Sequence, residues 1–182
     1  MHQLAPVLLL LALTAPALAQ RTKVEVTRPT TELDDSKPLN DEVPDVYAIT
    51  GNFERVVVLR FKHQTDLLAG LEKAVAQEQI ENGVILAGAG SVRGYHIHTV
   101  SNRDFPSKNI YIKDPTYPAD IVSMNGYVID GRLHPHITLA DDERSFGGHL
   151  EPGNPVFTFA VVTIGVFSDD VDLSRVDDKT YR

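Results

Sequence analysis

Read from end to end, the pattern of apolar and polar positions contains one stretch with helical spacing and six or seven with the character of strands. Arg55–Phe61 (Arg-Val-Val-Val-Leu-Arg-Phe) is β-branched and apolar enough for a central strand. Leu67, Leu71, Ala74 and Val75 then form a single apolar stripe at helical spacing, with Glu72, Lys73, Gln77 and Glu78 outside it. Thr65 is placed to cap that helix, which starts at Asp66 and is ended by Asn82-Gly83. Val84–Ala89 reads as a short buried strand, after which Gly88-Ala89-Gly90-Ser91 turns tightly into a strand over Arg93–Val100. The P-loop Lys-Ser/Thr pair does not follow those glycines, so close backbone packing explains them better than phosphate binding.

Asn102–Tyr117 reads as a surface loop with a short edge strand at Ile110–Ile112. Ile121–Ile129 is a further strand, interrupted at Asn125-Gly126 in the manner of a bulge. Asp130-Gly131 is a turn signal, and Leu133, Ile137 and Leu139 mark the strand after it. Pro155–Phe167 is the most β-like run in the chain. The fold class expected is α+β: a mixed, mainly antiparallel sheet of six or seven strands with one main helix packed on it.

The flanks differ in character. Leu4–Ala15 is almost wholly apolar and is followed by Pro16-Ala17-Leu18-Ala19, so residues 1–19 read as a signal peptide. The run is short, and too broken by Pro6 and Pro16, to span a bilayer comfortably, so no membrane span is expected after its removal; an uncleaved anchor is the competing explanation. Residues 20–45 read as an irregular leader or linker, 46–168 as the domain, and 169–182 as a charged tail. The expected location is secreted or periplasmic.

Composition narrows the chemistry. At 182 residues the chain has room for one sizeable core. The net charge of −8, with no run of Lys or Arg, argues against attraction to a phosphate backbone. There is no cysteine, so any metal site must be built from imidazole or carboxylate.

Such a site is suggested by Gly131-Arg132-Leu133-His134-Pro135-His136-Ile137-Thr138-Leu139-Ala140-Asp141-Asp142. Residues i and i+2 of a strand share a face, so His134 and His136 present two imidazoles to one point. The chain turns on Asp141–Arg144, and Gly147-Gly148 lets it return so that His149 supplies a third nitrogen. Three neutral imidazoles with an open fourth position form a catalytic-type zinc site; the expected cofactor is a divalent metal, zinc first. A solvated strand face is the competing explanation. A second H-x-H pair, His96 and His98, has no third ligand near it in sequence and reads as a polar strand face or interface.

Gly83–Gly94, Ser123–Gly126 and the pairing of His134-x-His136-x-Thr138-Leu139-Ala140-Asp141 with Gly147-Gly148-His149-Leu150 resemble the plants-and-prokaryotes conserved (PPC, or PCC) domain. The resemblance covers roughly Glu54–Phe167. It implies a compact α+β fold, a homotrimer, and a metal-binding cluster at His134, His136 and His149. Plant members join this domain to AT-hooks, whence the family's DNA-binding label; the Arg-Gly-Arg-Pro core of that motif is absent here. The ligand spacing is also similar to that of the acetolactate decarboxylase group, as an analogy of fold and function.

The expected function is that of an exported metal-dependent enzyme of lyase or hydrolase type, or of a ligand-binding protein. Its partners would be further copies of itself and a small carboxylate or carbonyl compound; nucleic acid is not an expected partner. Arg132 is the candidate for holding a carboxylate. Glu143 and Glu151 flank the histidines and are the candidates for a general base. His96 and His98 could assist proton transfer if their strand faces the pocket. The alternatives are a non-enzymatic trimer with a structural metal, and a DNA-binding protein as the family label suggests.

Overall fold

The structure, a computed structural model, describes residues 20–27, 44–103 and 107–176. The expected signal peptide, and most of the expected leader, lie outside these residues. The elements in chain order are β1 (Thr22–Thr27), β2 (Phe53–Lys62), α1 (Leu67–Gln77), β3 (Gly83–Val92), β4 (Tyr95–Val100), β5 (Lys108–Asp114), β6 (Ala119–Ile129), β7 (Arg132–Ala140), β8 (Ser145–Leu150) and β9 (Val156–Phe167). The strands form one sheet in the order β1-β5-β4-β8-β7-β6-β3-β9-β2, and each neighbouring pair is antiparallel.

Helix α1 starts where a carboxylate can satisfy its first amides. Asp66 is the N-cap, rather than Thr65 as its sequence position suggests, and accepts from the Ala69 amide at 3.1 Å. Leu67, Leu71 and Val75 are buried against the inner face of the sheet. There they meet Ile85 of β3, Met124 of β6, Ile137 and Leu139 of β7, and Ala160, Val162 and Ile164 of β9, all within one core. The helix stops at Gln77, earlier than Asn82-Gly83. Gln79 adopts φ 54° there, and the Ile80 amide bonds back to the Val75 carbonyl at 3.0 Å.

Among the described residues nine strands appear instead of six or seven, and the two extra ones have clear causes. Thr22–Thr27, inside a polar leader, alternates Thr22, Val24 and Val26 with Lys23 and Glu25, and pairs with Lys108–Lys113 of β5. Because β1 covers it on one side and β4 on the other, Ile110–Ile112 is not at an edge. Ser145–Leu150 contains Gly147-Gly148, which reads as a return loop but is strand β8. The tail also departs from expectation. Val171 and Leu173 are buried with Ile129 and Phe167 in a small second cluster, so residues beyond 168 pack on the domain.

Three further readings change. Arg55–Phe61 belongs to β2, which is the edge strand beside β9, not a central one. The glycines of Gly88–Ser91 lie inside β3 and do not turn the chain; the turn falls at Arg93-Gly94. A Cβ on Gly88 would lie 2.6 Å from Met124, and one on Gly90 2.3 Å from the Phe159 carbonyl oxygen, so close packing is indeed their role. The irregularity in β6 sits between Ile121 and Ser123, while Asn125-Gly126 stays in register with His136 and Pro135.

Candidate metal centre

The β7–β8 hairpin builds the site. Leu133, Pro135, Ile137 and Leu139 point toward the core side, which leaves Arg132, His134, His136 and Thr138 on the outer face. The hairpin turns where Asp141 accepts from the amides of Glu143 and Arg144 at 2.9 and 2.8 Å. This register sets His149 directly opposite His136. One ligand nitrogen from each of His134, His136 and His149 lies within 4.8 Å of the others. The rings of His134 and His136 are stacked, and His149 meets both edge-on.

These distances fit a tetrahedral ion. Nitrogens held about 2.05 Å from zinc stand roughly 3.3–3.4 Å apart. Nε2 of His134 and Nε2 of His136 are 3.3 Å apart, so only His149 must close in. His149 and His134 are half-buried, whereas His136 is open to solvent. The electrostatics favour neutral rings. Burial, and then the neighbouring imidazoles of His98, His134 and His136, lower the pKa of His149 to about 4, with Glu151 pulling weakly the other way. Burial, then His134 and His98, also lower that of His136. Neutral imidazole is the form that binds a metal.

His98 joins this cluster, contrary to the expectation that the second H-x-H pair stands apart. Strand β4 pairs with β8 so that His98 is opposite His149, with ring centroids 4.7 Å apart. Nδ1 of His98 lies 2.5 Å from Oε1 of Glu151, and its ring packs 4.9 Å from Tyr111. Directly paired residues share a face. A row therefore runs Tyr111, His98, His149, His136, Asn125 across β5, β4, β8, β7 and β6.

Glu151 is held in place by a buried network. Asn154, fully buried, donates to the carbonyls of Glu151 and His96 at 2.5 and 2.9 Å and accepts from the His96 amide. The second oxygen of Asp66 accepts from the amides of Gly153 and Asn154 at 2.7 and 2.9 Å, tying this loop to the start of α1. Asp66 and Asn154 are functional-site supports that sequence reasoning missed; Pro152-Gly153-Asn154-Pro155 signals a turn and nothing more. His96 faces the loop, with Nδ1 2.8 Å from the Pro152 carbonyl oxygen.

The remaining candidates fall farther out. Arg132 shares the outer face of β7 two residues from His134, about 7 Å along the strand. Glu143 lies in the hairpin turn past Ala140, about 13 Å or more along the strand from His136. Of the two candidate carboxylates, the structure brings Glu151 to the cluster and leaves Glu143 away from it.

Two solved structures share this architecture, and a curated protein matches part of the sequence. A metal-containing protein from Archaeoglobus fulgidus is 21% identical with a TM-score of 0.59, covering 69% of this chain and 89% of that one. A plant- and prokaryote-conserved protein from Pyrococcus horikoshii is 22% identical with a TM-score of 0.56, covering 69% and 87%. The bifunctional protein GlmU of a Synechococcus species is 26% identical over 111 residues; these are 60% of this chain but only 17% of that protein. The model of the Plants and Prokaryotes Conserved (PCC) domain matches residues 48–168, and the chain belongs to that family.

Proposed function

We propose that His134, His136 and His149 hold one divalent ion, zinc by preference, with a coordination position left open, and that the chain is an exported metal-dependent protein acting on a small carboxylate or carbonyl compound. The observation that carries this is the convergence of three nitrogens, one pair already at tetrahedral spacing. The metal-containing relative of the same fold supports it by analogy. Bound there, such an ion would polarise a carbonyl or acidify water near neutral pH, which is chemistry of the lyase and hydrolase type. His98, with Nδ1 held by Glu151 and its ring beside that of His149, is then the group placed to take or return a proton. Arg132 is the cation on the same strand face for a substrate carboxylate.

Metal analysis of protein purified without chelator or metal-affinity resin tests the reading. One equivalent is expected. Single His→Ala changes at 134, 136 and 149 should each lower it sharply, and His63→Ala should leave it intact. No metal in the wild type, or full metal in the triple substitution, overturns it.

A second reading is a non-enzymatic homotrimer whose metal only holds the structure. It draws on the outward residues Val56 and Val58 of β2, Phe157 and Phe159 of β9, Leu86 of β3 and Val122 of β6, all exposed on neighbouring strands. An apolar face of this kind is characteristic of a surface that another subunit covers. Light scattering at micromolar concentration should give a trimer under either reading, and a cobalt-substituted spectrum of a closed four-ligand site would favour the second. DNA binding, the family label, is opposed by the net charge of −8.

A further inference from the structure

The outer face beside the histidines is not flat. A concavity of about 270 Å³ lies between Asn125, Tyr127, Ile129, His134, His136 and Val176. A second, of about 340 Å³, lies between Tyr47, Ile49, Tyr127, Phe167, Leu173 and Val176. Tyr127 and Val176 wall both, so the two form one groove that starts at two candidate metal ligands and runs away from them. The segment after β9 builds its far wall. Phe167, Val171 and Leu173 cluster with Ile129, which is why Ile129 is only 3% exposed although it lies on the outer face. A turn closed by the Val176 amide on the Leu173 carbonyl at 2.9 Å then sets Val176 beside the groove.

The chemistry of the lining is one-sided. Nitrogen ligands and the Asn125 amide stand at one end, and the side chains beyond them are aliphatic or aromatic, with the Tyr47 and Tyr127 hydroxyls as their polar groups. No Asp, Glu, Lys or Arg lines either part; the cations beside it stand at its rims, Arg132 paired across from Ile129 and Arg175 over the Tyr47 ring at 5.8 Å. Tyr47, Ile49, Tyr127 and Val176 are nevertheless between 38% and 44% exposed, apolar surface directed at a groove that no described residue covers. We infer that the site takes an amphiphilic small molecule, with a metal-coordinating carboxylate or carbonyl head at His134 and His136 and an aliphatic or aryl tail along Tyr127, Ile129 and Val176. This rests on the metal reading above and narrows its substrate class.

Alkyl hydroxamates of two to eight carbons are suitable probes, because the head binds zinc and only the tail varies. Calorimetry on the zinc-loaded full chain should show affinity rising about two- to fourfold per methylene, as expected for partial to full burial of each group. Val176→Asp and, independently, Ile49→Asp should flatten that rise at longer tails, and Ile49→Asp, in the part of the groove that no histidine lines, should leave zinc content unchanged. Zinc at one equivalent with affinity independent of tail length overturns the groove, through occupation by another copy or through no binding at all, and leaves the metal reading standing. Both substitutions keeping the wild-type slope also overturns it. Absence of zinc from the wild type overturns both.

Discussion

Gly148→Ala is the substitution that most directly connects the packing of the sheet to the metal site. A Cβ on Gly148 would lie 2.3 Å from the His98 carbonyl oxygen and 2.8 Å from Thr99 Cγ2, where ordinary contact begins at about 3.4 Å. The oxygen belongs to backbone and cannot swing aside, so β8 must move about 1 Å from β4. Only two residue pairs, Ile97 with Leu150 and His98 with His149, join those strands, and both lie immediately after the moved residue. Overpacking of this kind costs about 1–3 kcal/mol. The displacement also carries His149 away from His98 and out of line with His134 and His136, whereas metal–ligand distances tolerate only about 0.2 Å. Zinc affinity should fall at least ~10- to 100-fold, the scale seen when ligand supports are lost. Gly131→Ala is the control. It too meets a backbone penalty, at φ 70°, but its Cβ would find only Glu81 Oε2 at 3.8 Å. That change should cost about 1 kcal/mol and leave zinc binding alone. Urea unfolding with competitive zinc titration reads both quantities. Wild-type stability and zinc affinity in Gly148→Ala would refute the reasoning.

Two further outcomes follow from the same contacts. In the metal-free protein, the His149 pKa of about 4 lies below its unfolded value near 6.5, so the unfolded state binds more protons between those limits. The stability due to the neutral buried ring is therefore full above pH 6.5 and is lost as pH falls toward 4. For a half-buried group this amounts to about 1–2 kcal/mol after allowance for solvent, and the pH 7-to-5 change in urea midpoint should shrink in His149→Gln; an identical change in the two proteins refutes the assignment. Asp66→Ala removes the acceptor of three amides, those of Ala69, Gly153 and Asn154, and should destabilise by about 2–4 kcal/mol, a loss that thermal unfolding would contradict if it came below about 0.5 kcal/mol.

What could be read from the chain divides along the range of the interactions involved. The i, i+2 spacing places His134 and His136 on one face whatever else the sheet does, and the short Asp141–Arg144 turn brings His149 opposite His136 within the same hairpin. Those are local facts, and local pattern reveals them. His98 is different. It reaches His149 only because β4, more than forty residues earlier, is the strand that pairs with the far side of β8. An H-x-H pair carries no mark of its neighbour across the sheet, so nothing in its own spacing distinguishes it from a polar strand face. The tail was obscured in another way. Asp169, Asp170 and Asp172 surround Val171, and a charged run conceals two apolar residues, Val171 and Leu173, whose shared burial becomes evident only once Ile129 is seen to need a cover. The α1 stripe and the strands of the core were legible because burial imposes period on inward positions. Outward positions carry no such constraint from folding. The row from Tyr111 to Asn125 and the groove beside it both lie on that outward face, so their composition is free to answer to chemistry, and reading them requires the register of five strands at once.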